Sequence, residues 1–504
     1  MAADSLEVER KYSVEEGTPL PPLAELPGVA ALAPTRFDRL EAVYFDTPGL
    51  ALAAHRITLR RRIGGHDAGW HLKVPAEAAA RHEISEPLGV DASAVPARLA
   101  GLVALHTRGG ALVPVARVST RRAATDLLAP GGAVLAEFSD DRVEAQAPPG
   151  TGPVQTWREW ELELVTGPED LLAAADTLLA SLDVNPAELP SKLARALGDA
   201  VPRQEPAATP KRKGPAAVVL LAYLREQADA LAAHDPAVRL DAPDAVHQLR
   251  VSARRMRSAL ATFRPFVDAE AANRLRGELS WLGKTVGQAR DVEVMRDHLA
   301  GLVTAEPPEL VVGPVARRLE GDSSSRYRQA HDVGVVALDS ERYFHLMDSL
   351  EDFLTDPPLS EKAEKKAAPA AERRLRKNVK RIRAAVERAE EAEEAGVPEH
   401  ELDAALHEVR KAAKRLRYAA EAARPVLGKQ AKQLAEAAEE LQETLGGLQD
   451  SVVTREHLRR LAAEAEADTE SAFTYGRLHA LEQQRAAESR ARFAKEWARF
   501  VKQW

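Results

Sequence analysis

His247–Pro265 reads HQLRVSARRMRSALATFRP, and at one offset of 160 residues His407–Pro425 reads HEVRKAAKRLRYAAEAARP. Identical positions are His247/His407, Arg250/Arg410, Ala253/Ala413, Arg255/Arg415, Arg257/Arg417, Ala259/Ala419, Arg264/Arg424 and Pro265/Pro425. Further on, LGKTVGQARDVEV from Leu282 matches LQETLGGLQDSVV from Leu441, so Asp291 and Asp450 stand at nearly equal distances from their histidines. Chance does not give that agreement, and a duplicated unit follows. Both copies are rich in Ala, Leu, Glu, Lys and Arg with apolar residues at 3.6-residue spacing, the mark of amphipathic helices. The copies are expected at about 215–355 and 370–504, separated by a loose TDPPLSEKAEKKAAPA at 355–370.

Upstream the chain changes character. Short runs bounded by Gly and Pro, such as ITLRRRI, GWHLKV, AVLAEF and WREWELELV, alternate as strands do. A basic, Pro-rich VPRQEPAATPKRKG at 201–214 reads as a linker, dividing a strand-rich domain at 1–200 from a helical domain at 215–504. The fold class is α+β multidomain. The full 504 residues suit two to four domains, and 45% hydrophobic with 29% charged residues excludes global disorder. The absence of cysteine excludes disulfides, thiolate metal sites and cysteine nucleophiles. Neither a secretory leader nor an apolar run of membrane-spanning length is present, so the expectation is a cytoplasmic protein that does not engage membranes. The net charge of −8 is uneven: residues 1–200 carry 19 Lys and Arg against 28 Asp and Glu, and the remainder 50 against 49.

In LEVERKY, Glu7, Glu9 and Lys11 fall at i, i+2 and i+4, on one face of a strand, with Leu6, Val8, Tyr12 and the less comfortable Arg10 on the other. Arg60 and Arg62 share a face, as do Arg81 and Glu83, and Glu159, Glu161 and Glu163. Any antiparallel sheet with a wet side shows such alternation. Carboxylate strands and guanidinium strands in one small domain suggest more: a closed barrel can turn both inward. Carboxylates on one wall then attract divalent cations, the basic wall attracts a polyanion, and a metal-bound phosphate chain satisfies both. No Walker A loop ending in Gly-Lys-Ser/Thr is present, so P-loop phosphate binding is excluded.

Together with YFDT at 44–47, LRRR at 59–62, HLKVP around Lys73, RHEISEP at 81, ELELVTG at 161 and PSKLARAL around Lys192, the Glu-x-Glu-x-Lys run resembles the CYTH domain, the triphosphate tunnel metalloenzyme fold. The resemblance covers about 1–200 and implies an eight-stranded antiparallel barrel whose tunnel binds a triphosphate and Mg2+ or Mn2+. Members hydrolyse inorganic triphosphate, thiamine triphosphate or nucleoside triphosphates, and some cyclise ATP. By position, Glu7, Glu9 and Lys11 become catalytic, Glu7, Glu9, Glu161 and Glu163 metal-side, and Lys11, Arg60, Arg62, Lys73, Arg117 and Lys192 phosphate-gripping. The doublets Asp140/Asp141 and Arg121/Arg122 leave the inward member open.

On the helices, His247, Arg250, Arg254 and Arg257 form one stripe, repeated by His407, Arg410, Lys414 and Arg417. A solvated face gives the same pattern, but the stripe lacks Glu partners at i−4 and both copies keep the charge. The histidines alone fit either a metal pair or neutral hydrogen-bonding groups. These motifs, with FTYGRLHALE, resemble the CHAD domain, the conserved histidine alpha-helical domain, over about 215–504. That resemblance implies two four-helix units and a basic surface or channel for inorganic polyphosphate. Gln449 stands where the first copy has Arg290, so the copies are not charge-equivalent. Near-neutral overall charge argues against specific nucleic-acid binding. The leading expectation is metal-dependent hydrolysis of inorganic triphosphate or short polyphosphate, coupled to polyphosphate binding and association with polyphosphate granules. Its alternatives are a non-catalytic polyphosphate-binding protein and a CYTH-type adenylate cyclase.

Overall fold

The computed structural model describes residues 3–75, 80–89, 94–150, 152–189, 191–203 and 208–504. The chain divides into two compact units, Met1–Glu205 and Pro206–Trp504. Of the linker expected at 201–214, residues 204–207 lie outside the described residues.

The first unit is one antiparallel sheet of β1 (Ala3–Glu7), β2 (Glu9–Val14), β3 (Ala31–Leu32), β4 (Arg36–Asp46), β5 (Thr58–Ile63), β6 (Gly69–Pro75), β7 (Arg81–Glu86), β8 (Val113–Leu128), β9 (Val134–Gln146) and β10 (Val154–Leu164). The spatial order is β1-β7-β6-β5-β4-β8-β9-β10-β2, with β3 beside β8. Only Val8 separates β1 from β2, so one chain segment supplies both ends of the sheet and closes it. With β1 and β2 taken as one stave and two-residue β3 set aside, the barrel has the eight staves expected.

Its polarity is inverted. Even-numbered residues of β2 and β10 face outwards, where Tyr12, Phe138, Trp160 and Leu162 meet Leu171, Leu172, Ala175 and Leu179 of α4. Short helices α1 (Ala51–Ala54), α2 (Ala97–Leu102) and α3 (Ala104–Thr107) precede α4 (Asp170–Ala180), and α5 (Lys192–Leu197) follows it. Asp176 of α4 explains the outward Arg10: it accepts from Arg10 Nε at 3.4 Å and from the Tyr12 hydroxyl at 2.7 Å. Leu6, expected in the core, is instead 59% exposed. Leu193 and Ala196 of α5 form a second apolar cluster with Ala42, Tyr44, Val118, Val143, Ala145 and Trp157. Burying carbon outside the barrel and at this second cluster leaves the odd-numbered Glu and Lys of β2 and β10 to line the interior.

The second unit is all-helical among the described residues: α6 (Ala217–Arg239), α7 (Ala245–Phe263), α8 (Ala269–Thr285), α9 (Gly287–Ala305), α10 (Val315–Leu338), α11 (Glu341–Thr355), α12 (Ala367–Glu394), α13 (Glu399–Leu427), α14 (Lys429–Ala467) and α15 (Phe473–Gln503). At the 160-residue offset α6, α7 and α10 match α12, α13 and α15. The 39-residue α14 corresponds to α8 and α9, which are split at Val286 although that residue keeps helical dihedrals. With α8 and α9 counted as one, each copy has four helical segments, and α11 is an addition to the first. Segment 355–370 is not loose. Leu359 bridges Val267, Lys366 bridges Pro215, and the Asp268 N–H donates to the Pro358 carbonyl at 2.7 Å.

Candidate functional site

Strands β1, β2, β4, β5, β6, β7, β8, β9 and β10 enclose a cavity of about 270 Å³ whose lining includes seven carboxylates and seven Lys or Arg side chains. Of the expected residues it gathers Glu7, Glu9, Lys11, Arg60, Arg62, Lys73, Glu161, Glu163 and Lys192. Arg117 is a correction: it is exposed on the outer face of β8, because the inward parity of that strand belongs to Val118, Thr120 and Arg122. Register also resolves the doublets. Arg122 pairs across the strands with Asp141, whereas Asp140 turns outwards to a buried ion pair with Arg158 at 2.7 Å.

The charges are not mixed at random. On one side Asp141, Glu159 and Glu161 cluster around Lys192, whose Nζ lies 2.9, 2.8 and 2.7 Å from them. Arg122 donates to Asp141 at 2.8 and 2.7 Å and also to Glu161, which Lys11 contacts as well. Burial opposes ionisation of Glu161, but Lys11, Lys192 and Arg122 more than offset it and hold the carboxyl well below its ordinary range. Burial likewise opposes the Lys11 charge, and Glu161 and Glu9 overcome it, raising that ammonium's pKa. Glu161 is thus contacted by three cations and the Lys192 ammonium by three carboxylates, and Asp141, Glu159 and Glu161 each bring a carboxylate oxygen within 4.8 Å of the others.

Glu7, Glu9 and Glu163 make the second acidic group, each with a carboxylate oxygen within 4.8 Å of the others. Here compensation is poorer. Lys73 lies 2.6 Å from Glu7, and Lys11 lies 2.9 Å from Glu9. Glu163 is pushed up to about 8, first by burial and next by the Glu7 carboxylate. Three hard oxygen donors whose repulsion is only partly relieved by Lys73 and Lys11 suit Mg2+ or Mn2+. The expected ligand set thus fits at Glu7, Glu9 and Glu163, while Glu161 belongs to the other group.

Excess positive charge gathers on β5. The Nε atoms of both Arg60 and Arg62 are buried without a hydrogen-bond partner. Burial and then the neighbouring Arg60 and Arg122 guanidiniums pull Arg62 down to about 9. Two lining residues that strand periodicity could not supply, His66 and Asp67, come from the β5–β6 turn. That turn needs glycine: Gly64 has φ +84°, and a Cβ there would lie 2.0 Å from the Arg39 carbonyl oxygen. Asp67 pairs with Arg62. The YFDT motif has a different task, since Asp46 accepts backbone N–H groups of Thr47, Leu52 and Ala53 at 2.7, 2.8 and 2.8 Å and fixes the turn into α1. Its Tyr44 lines the cavity beside Arg60.

In the helical unit α7 packs against α13, bringing the two stripes together. Arg250 donates to the Gly287 carbonyl at 2.9 Å and to Asp291 at 2.7 Å. The second copy sets Arg410 against Gly446, where a Cβ would meet its guanidinium at 3.2 Å. Arg254 donates to the Tyr418 hydroxyl of the other copy at 2.9 Å. Lys414 is pulled down to about 7 by burial and by Arg410 and Arg254, an ammonium crowded by cations from both copies. Burial and then Arg276 lower Arg257. His247 and His407 both lie below their ordinary range, burial being the largest cause, and His407 has a side-chain hydrogen bond with Gln449. Arg417 departs from the expectation: Glu421 at 2.9 Å and Glu439 at 2.7 Å neutralise it. Sequence reasoning missed Arg276, Arg381 and Arg415, which extend this crowding; burial and then Arg381 and Arg276 bring Arg415 down to about 10. Arg415 was legible as one of the conserved repeat identities, but its contacts with α8 and α12 were not.

No helix among the described residues is long and apolar enough to cross a membrane. The CYTH domain family model matches residues 5–195, and the CHAD domain model matches residues 222–459. The protein MT2285 of Mycobacterium tuberculosis (strain CDC 1551 / Oshkosh) is 40% identical, covering 97% of this chain and 95% of its own. Among solved structures, PptA from Streptomyces chartreusis is 22% identical with a TM-score of 0.47, covering 56% of this chain and 99% of its own. The CHAD domain from the plant Ricinus communis is 26% identical with a TM-score of 0.45, covering 59% of this chain and 96% of its own.

Proposed function

Because the chain belongs to the family that joins a CYTH domain to a CHAD domain, we propose that its barrel hydrolyses inorganic triphosphate or short polyphosphate and that its helical unit binds inorganic polyphosphate. The CYTH family includes both triphosphatases and cyclases, so enzymatic activity accords with membership. The observation that carries the reading is the separation of charge in the barrel. Glu7, Glu9 and Glu163 crowd three carboxyl groups against two ammoniums, leaving Glu163 without an ion pair among the described residues, while the buried Nε atoms of Arg60 and Arg62 have no hydrogen-bond partner.

Glu7, Glu9 and Glu163 would hold Mg2+ or Mn2+, which supplies charge neutralisation on the transferred phosphoryl group. Arg60 and Arg62 bind phosphate oxygens and remain paired with the charge that spreads over them as the bond breaks. Lys73, between Glu7 at 2.6 Å and Glu83 at 3.5 Å, can exchange a carboxylate for a phosphate oxygen. Lys192 and Arg122 keep the Asp141, Glu159 and Glu161 group compact and orient Lys11. In the helical unit, Arg250, Arg254, Arg257, Arg410 and Lys414 supply the polyanion site, with His247 and His407 as neutral hydrogen-bonding groups.

The test is phosphate release from triphosphate and ATP side by side, with Mg2+, with Mn2+ and with EDTA. Release from triphosphate that requires a divalent cation is expected. Unchanged release in EDTA refutes the metal assignment, and pyrophosphate with a cyclic nucleotide from ATP replaces hydrolysis with cyclisation.

A further inference from the structure

The outer wall of the barrel carries a row of like charge. Arg39 of β4 pairs in register with Arg121 of β8, Arg121 with Arg142 of β9, and Arg142 with Arg158 of β10. Directly paired residues point to the same face, and at about 4.8 Å between strands the row extends roughly 14 Å. Like charges placed opposite one another in a sheet destabilise it. The carboxylates nearby relieve this incompletely. Arg158 is satisfied by buried Asp140 at 2.7 Å, and Arg142 by exposed Glu16 at 2.7 Å. Arg39, 79% exposed, reaches Glu41 only at 3.5 Å. Arg121 is exposed and has no ion-pair partner among the described residues. All four line one groove of about 760 Å³, joined by Arg195 of α5, so five arginines face two glutamates there.

We propose that this groove is a second anion site, separate from the tunnel, that binds a linear inorganic phosphate chain along the arginine row. The exposed guanidiniums of Arg39, Arg121 and Arg142 at strand spacing offer repeated charge-assisted donors to successive phosphates, while buried Arg158 is committed to Asp140 and to the Glu16 and Thr18 carbonyls and closes the row. Single-stranded nucleic acid is the poorer fit, because its non-specific sites add aromatic faces for the bases. The aromatic ring in this groove, Trp157, is already covered by the Arg195 guanidinium, 4.7 Å from its centroid.

The chain has no cysteine, so Thr156→Cys, at an exposed position lining the groove, accepts one environment-sensitive fluorophore. Full-length labelled protein is titrated with long-chain inorganic polyphosphate and, separately, with single-stranded DNA of equal phosphate concentration. The polyphosphate response is expected to weaken with salt, and Arg121→Glu should raise the half-saturating concentration about tenfold or more. Arg121→Gln should produce a smaller loss, while triphosphate turnover in both variants stays at the wild-type value. No fluorophore response at polyphosphate concentrations that saturate the whole protein, or an unchanged response in both variants, overturns the site. An equal response to DNA overturns the choice of occupant. Because the label reports this groove and turnover reports the tunnel, failure of one is distinguishable from failure of the other.

Discussion

Replacing Lys192 with Met distinguishes two roles for the same ammonium. If Lys192 braces Asp141, Glu159 and Glu161, the substitution leaves three buried carboxylates short of one cation. Lys192 and these partners have side-chain exposures of 9%, 0%, 7% and 10%, so solvent screens them little. Breaking a buried ion pair by removing one partner costs about 3–5 kcal/mol. Arg122 still contacts Asp141 and Glu161, and Lys11 still contacts Glu161, which favours the lower end of that range. For a unit of this size each kcal/mol corresponds to roughly 2–4 °C in Tm, so the barrel transition should fall by about 6–12 °C. Asp141 and Glu161 are both held below their ordinary range, and their stabilisation is lost as pH falls through the folded pKa values. In the variant they rise towards or above that range, so the deficit should be largest at neutral pH and shrink towards about pH 4. Calorimetry of the full chain against pH measures both effects. A Tm within about 2 °C of wild type, accompanied by a raised KM for triphosphate, would falsify the brace and return Lys192 to gripping substrate.

Glu163→Gln should reduce cation-dependent triphosphate turnover at least a hundredfold without destabilising the metal-free chain. Its folded pKa of about 8 exceeds the unfolded value, so its stability contribution is present at low pH and lost as pH rises through about 8; a large Tm loss at pH 8.5 in EDTA contradicts this. Arg62→Met should raise KM and lower kcat, because the charge on the transferred group is met in both ground and transition states; unaltered steady-state kinetics refutes that role. Polyphosphate affinity should weaken between pH 6 and pH 8 as Lys414, at about 7 among Arg410, Arg254, Arg250 and Asp450, loses its proton. Lys414→Arg should flatten that dependence in a salt-matched titration, and a profile that keeps its slope removes Lys414 from the site.

What could be read from the chain follows from the range of each interaction. The helical duplication was visible because helix faces repeat locally and Arg250/Arg410 kept their spacing. The barrel's charged rows were visible for the same reason, since Glu7, Glu9 and Lys11 obey a period of two. Their inward direction was a matter of which apolar face found cover, and α4 lies more than 150 residues beyond β2. A local signal for β8 did exist: Val118 and Ala116 share parity with Arg122, whereas Arg117, Ser119 and Arg121 form the wetter alternate row. Reading Arg117 as inward required Val118 to face water. Pairing of charges was less accessible, because neither Glu161 with Lys192 nor Arg417 with Glu439 follows from spacing.

The doublets show why register carries so much of the chemistry. Arg121–Arg122, Asp141–Arg142 and Arg158–Glu159 occupy successive strands, and each straddles the wall. Inside, Arg122 pairs with Asp141 and Asp141 with Glu159; outside, Arg121 pairs with Arg142 and Arg142 with Arg158. One face is therefore a compensated ion network and the other a cationic row whose central Arg121 has no ion pair among the described residues. Turning β9 over by one residue would send Arg142 in beside Arg122 and Lys192 and leave Asp141 outside. The inner network would then lose the carboxylate that holds Arg122 at 2.8 and 2.7 Å and Lys192 at 2.9 Å. Strand pairing is thus constrained by electrostatics from within as well as by Phe138 and Ala136 packing under α4 from without. The same constraint fixes the arginine row on the outer wall.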